Sequence, residues 1–90
     1  MYNYEIKPSL QKILNKLSKK DRKKYEIIMK KIKEIINHPN PHNYKNLKHN
    51  LKEFKRVHID SHFVLTFKVD KDKNSILFED FDHHDKIYSI

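Results

Sequence analysis

The spacing of apolar residues changes part-way along the chain from a helical period to a strand period, and that change restricts the fold more than any other feature. Leu10, Ile13, Leu14 and Leu17 recur at i, i+3, i+4 and i+7, the stripe of a short helix. Tyr25, Ile28, Met29, Ile32, Ile35 and Ile36 mark a second stripe, with Lys23, Lys24, Lys30, Lys31 and Lys33 mostly on the remaining faces. Asn37-His38-Pro39-Asn40-Pro41 stops that helix with two prolines and two asparagines. Beyond it the period is two. Phe54 to Asp60 reads as one strand, His62 to Val69 as the next and Ser75 to Asp82 as the last, with turns at Asp60-Ser61 and Asp70 to Asn74.

Upstream, Tyr2 to Lys7 alternates as a short strand with Tyr2, Tyr4 and Ile6 on one side. Pro8 suits a first helical turn, where its missing N–H is harmless. Ser18-Lys19-Lys20-Asp21 has the form of a helix-start box, so the second helix is expected to begin near it. His42 to Leu51 has no clear period and reads as a basic loop. The order β-α-α-β-β-β predicts an α+β fold over residues 1–90 as one domain. A helical hairpin packs on one face of a small, mainly antiparallel sheet, and the other face is left for a partner.

Composition limits the chemistry. At 90 residues, 37% of them hydrophobic, the chain can build one modest core. With no glycine it has neither a P-loop nor a dinucleotide-binding turn. With no cysteine it has no disulfides, thiolate metal sites or thiol nucleophiles, which agrees with a reducing cytoplasm. No apolar run approaches membrane-spanning length and the start lacks the layout of a signal peptide, so a soluble, cytoplasmic protein without membrane association is expected.

The formal charge of +8 is uneven. Residues 1–56 hold 16 Lys and Arg against 5 Asp and Glu, whereas residues 57–90 hold 4 against 7. A strongly basic half suits nucleic acid, because displacing counterions from phosphate drives association.

The residues able to carry chemistry lie on or after the late strands. Arg56 and His58 are two apart, so both project from the face opposite Val57 and Ile59. The tail Asp82-His83-His84-Asp85-Lys86-Ile87-Tyr88 places Tyr88 four residues after His84, the spacing that aligns side chains on a helical turn. Adjacent histidines without a His-x₃-His pair or cysteines do not form a metal site of standard spacing. Imidazole can give or take a proton near neutral pH. Arg56, His58, His84 and Tyr88, approached over lysines, therefore suit metal-free RNA cleavage. There the 2′-hydroxyl attacks the adjacent phosphorus and leaves a 2′,3′-cyclic phosphate and a 5′-hydroxyl.

The element order, the segments Arg56-Val57-His58-Ile59 and Phe63-Val64-Leu65-Thr66-Phe67-Lys68-Val69, and the ending Asp82 to Tyr88 resemble the RelE/ParE toxin superfamily. Within it the chain looks closest to RelE-type mRNA interferases, including the histidine-using YafQ-like branch. The resemblance implies a toxin of a type II toxin–antitoxin system that cuts mRNA in the ribosomal A site, contacts rRNA, needs no cofactor and is held inactive by a RelB-like antitoxin.

By position, His84 falls on the catalytic histidine of the YafQ-like ending, and Tyr88 on the aromatic residue four places later. His58 matches a lysine in RelE-like members and a histidine in YafQ-like ones, and Arg56 matches a basic residue. His62 falls where YafQ-like members have an acid, and Phe63 matches an aromatic. Val64 stands where RelE-like members carry an arginine, and the YafQ-like branch is also apolar there. The resemblance thus implies His84 as general acid, His58 as base or charge stabiliser, Arg56 against phosphorane charge and His62 as a further member of the site. Tyr88 and Phe63 would hold bases, and Lys45, Lys48, Lys52 and Lys55 would grip the RNA backbone. If the ending is displaced by one residue, His83 inherits the role of His84. Two other functions remain open: ParE-like inhibition of DNA gyrase, and a non-enzymatic RNA- or DNA-binding module.

Overall fold

The computed structural model describes residues 1–47 and 53–88, Tyr88 by its backbone alone. Its elements are β1 (Asn3–Ile6), α1 (Pro8–Lys20), α2 (Arg22–Asn37), a 3₁₀ turn (Pro41–Asn43), β2 (Lys55–His58), β3 (Phe63–Asp70), β4 (Ser75–His83) and α3 (His84–Tyr88). The strands form one sheet in the order β1-β4-β3-β2. β2, β3 and β4 run antiparallel in sequence, and β1 joins the far side of β4 in parallel. The fold is α+β with a mixed sheet, as the order of periods predicts.

Only Asp21 separates the two long helices, and it corrects the helix-start box. The Asp21 carboxylate accepts from the Lys24 N–H at 3.1 Å, which caps α2. Ser18 stays inside α1 and donates to the Asn15 carbonyl at 2.7 Å. α2 ends where His38 turns extended ahead of Pro39, since the residue before a proline avoids helical geometry.

The helical stripes bury against one sheet face. Leu10, Leu14, Ile28, Ile32 and Ile35 meet Leu65, Phe67, Ile76, Phe78 and Phe81 there. Strand alternation alone would put Asp80 into that core after Ile76 and Phe78. A bulge prevents this: Phe67 pairs with Phe78 and Thr66 with Asp80, so Glu79 is the extra residue and Phe81 takes the inward position. Glu79 is held by Lys7 at 2.6 Å. The turn between β3 and β4 needs a left-handed residue, and in a chain without glycine Asn74 supplies it at φ 51°.

The second sheet face is not wholly open. Leu47, Ile87 and partly buried Phe54 pack over Val64, which is fully buried. The segment expected to be only a basic loop therefore contributes a core residue, and it also covers the outer edge of β2. Asn46 bridges Lys55, the Leu47 N–H donates to the Phe54 carbonyl, and the Arg56 N–H donates to the Lys45 carbonyl.

Candidate active site

Two rows of side chains cross the second face. Register aligns Arg56 with Thr66 and Asp80, and His58 with Val64 and Asp82. His84 enters this face from the first residue of α3. Its ring lies 5.8 Å from the His58 ring, at an interplanar angle of 23°.

Two anchors hold His84 there. The His84 N–H donates to the His62 carbonyl at 2.7 Å, tying the start of α3 to the turn between β2 and β3. Ile87, three residues on, is buried against Leu47 and Val64. The turn is itself fixed, because Asp60 Oδ1 accepts from the N–H groups of His62 at 2.8 Å and Phe63 at 3.2 Å. The His62 N–H foremost, with Phe63 and the charge of Lys24 adding, holds the Asp60 carboxyl below the usual carboxylate range against the opposing effect of burial.

His83 and His84 diverge. His83 is paired in register with Phe63, whose neighbours belong to the helix-side core, and stacks on His62 at 6.0 Å. Its Nδ1 accepts from the Asp85 N–H at 3.2 Å, the bond of a helix-capping side chain. Asp85 lies between the two histidines, 3.7 Å from His83 Nδ1 and 3.6 Å from His84 Nδ1.

The expected site residues are thus partly brought together. Arg56, His58 and His84 share the second face. His62 stands in the turn with His83, outside the His58–His84 pair. Phe63 is on the helix side, stacked on Phe81 at 5.1 Å beneath Lys24 Nζ at 3.9 Å. It lines a groove of about 300 Å³ with Ile13, Leu17 and Asp82. Lys45 is exposed and Lys55 is half-buried. Lys48 and Lys52 lie outside the described residues, as does the side chain of Tyr88. Among the described residues no three His, Asp or Glu are grouped to hold a metal ion.

Sequence reasoning missed Thr66, Asp80 and Asp82 as neighbours of the basic row. The signal is present: Phe78 and Phe81 are three apart, which two core residues of one strand can be only across a bulge. Chemically, the face offers two imidazoles able to pass protons beside a permanently charged guanidinium.

No family model matches the chain. It is 60% identical over 88 residues to "Putative toxin RelE4" of Methanocaldococcus jannaschii, covering 98% of this chain and 92% of that one. The chain belongs to the RelE toxin family. Solved structures share its fold at lower identity. In the YoeB–YefM toxin–antitoxin complex from Staphylococcus aureus the matching chain has a TM-score of 0.74 at 21% identity, covering 93% of this chain and 98% of that one. Escherichia coli YafQ gives 0.66 at 18% identity, covering 98% and 99%. No helix among the described residues of this RelE-family toxin is long and apolar enough to cross a membrane.

Proposed function

We propose that this toxin is an endoribonuclease that cuts mRNA on the ribosome by proton transfer between His58, His84 and the RNA, without a metal ion. The observation that carries the proposal is the His58–His84 ring pair on the face that bears Arg56, with His58 exposed and His84 partly exposed. His58 takes the proton of the 2′-hydroxyl as that oxygen bonds to phosphorus. His84 gives a proton to the departing 5′-oxygen as its bond to phosphorus breaks. Arg56 offsets the charge on the phosphorane. Tyr88 would hold a base beside the scissile bond, and Lys45, Lys48 and Lys52 would contact the backbone.

An antitoxin belongs to the same proposal. The S. aureus neighbour was solved as a toxin–antitoxin complex, and a chain of net charge +8 suits an acidic, partly disordered wrapper. A substrate of mRNA on the ribosome would put the protein in the cytoplasm.

The test is the chemistry of the cut ends. Purified toxin, ribosomes and a defined mRNA should yield 2′,3′-cyclic phosphate and 5′-hydroxyl ends. Ends of the opposite polarity, or intact mRNA beside blocked gyrase supercoiling, would contradict it.

A further inference from the structure

Lys24 starts on a helix and ends on the turn between β2 and β3. It lies in the first turn of α2, where the Asp21 carboxylate caps its N–H at 3.1 Å. A cation there is opposed by the helix dipole, and the first turn of α2 holds no acid, so the charge does not serve the helix that carries it. The amino group crosses to the sheet instead. Nζ lies 3.9 Å from the centre of the Phe63 ring and 3.9 Å from Asp60 Oδ2. The side chain is 24% exposed, too enclosed for a lysine that swings freely in solvent.

The turn that Lys24 reaches is bounded by both histidines of the candidate site. His58 closes β2 two residues before Asp60, and the Ile59 N–H donates to the Phe63 carbonyl at 3.0 Å across the turn. The two oxygens of Asp60 divide the work. Oδ1 accepts from the His62 and Phe63 N–H groups and shapes the turn, whereas Oδ2 meets Lys24 and ties the shaped turn to the helical hairpin. The His62 carbonyl then accepts the His84 N–H at 2.7 Å. A continuous series of contacts therefore runs from α2 through Lys24, Asp60 and His62 to His84.

We propose that Lys24 is a positioning residue for RNA cleavage, clamping the β2–β3 turn to α2 and so holding His58 and His84 at their working separation. The role rests on the RNA-cleaving function. Lys24 does not grip RNA itself: its amino group lies on the helix side against Phe63, whereas the two histidines stand on the second face. Its effect passes through the turn, where a small displacement of a reacting group is costly.

The test compares full-length wild type with Lys24→Met, which keeps the apolar stem and loses the charge, and with Lys24→Arg, which keeps the charge. In mRNA cleavage on purified ribosomes, Lys24→Met should lower kcat about tenfold and leave KM within about twofold, and Lys24→Arg should recover most of the loss. A raised KM with kcat unchanged would make Lys24 an RNA-gripping lysine and overturn the proposal. A second readout needs no cleavage. The His84 amide should exchange with deuterium at least about fivefold faster in Lys24→Met, while the core amides of Leu14 and Ile32 exchange as in wild type. An unchanged His84 amide would overturn the clamp. Equal acceleration at Leu14 and Ile32 would also overturn it, by assigning Lys24 to overall stability. Failure of the RNA-cleaving function shows separately, as wild-type toxin that leaves mRNA intact, and the exchange rates then still decide whether Lys24 holds the turn.

Discussion

His58 and His84 stack with their rings 5.8 Å apart although one lies on an edge strand and the other begins the last helix. The pair exists because the β2–β3 turn accepts the first N–H of α3 and because Ile87 buries against Val64 and Leu47. Its neighbour His83 has a different task, capping that helix. The two adjacent histidines therefore separate in experiment.

His84→Ala should lower mRNA cleavage by about 10²–10⁴-fold, the usual effect of removing a general acid. His83→Asn keeps a capping side chain and should change the rate by less than about tenfold. Parallel single-turnover assays check this. Equal losses in the two variants would count against the division of roles.

Ile87→Ala should loosen α3 and lower cleavage by roughly 10–100-fold, because small misplacements of a catalytic group are costly. Circular dichroism should show the α1 and α2 helices intact. A wild-type rate would mean that burial of Ile87 does not position His84.

Asp60 ties its turn through two backbone N–H groups, and Asp60→Ala should reduce stability by about 0.5–1 kcal/mol, read by urea unfolding. The sign with pH follows from its lowered pKa. The contribution is present above the ordinary carboxylate range and is lost as pH falls through the depressed folded value. The difference between wild type and Asp60→Ala should therefore shrink on acidification, and a constant difference would contradict the assignment.

Asp21→Ala should cost about 1 kcal/mol by uncapping α2, and Asp21→Ser should restore most of it. Ser18→Ala should have little effect, since Ser18 caps nothing. Thermal unfolding of the three variants distinguishes the residues.

The helices and strands were legible because burial on one face imposes its own period, and the stripes ending at Leu17 and Ile36 are buried or partly buried where expected. Two features escaped that logic. The bulge at Glu79 shifts the phase of β4, so strict alternation misplaces Asp80 and Asp82. Leu47 is a lone apolar residue among polar ones, and no period distinguishes it, yet it helps roof Val64. For the site, Arg56 and His58 were readable from alternation within one strand. The choice between His83 and His84 was not, because it depends on where β4 ends and α3 begins, a boundary set by the His84–His62 bond.

The most direct measurement maps mRNA ends on purified ribosomes for wild type, His58→Ala, His84→Ala and the double variant. If the two imidazoles act as a base–acid pair, each single variant should lose most of the activity and the double variant little more, because residues acting as a unit are non-additive. Undiminished cleavage by His84→Ala would contradict the assignment of that residue as the acid.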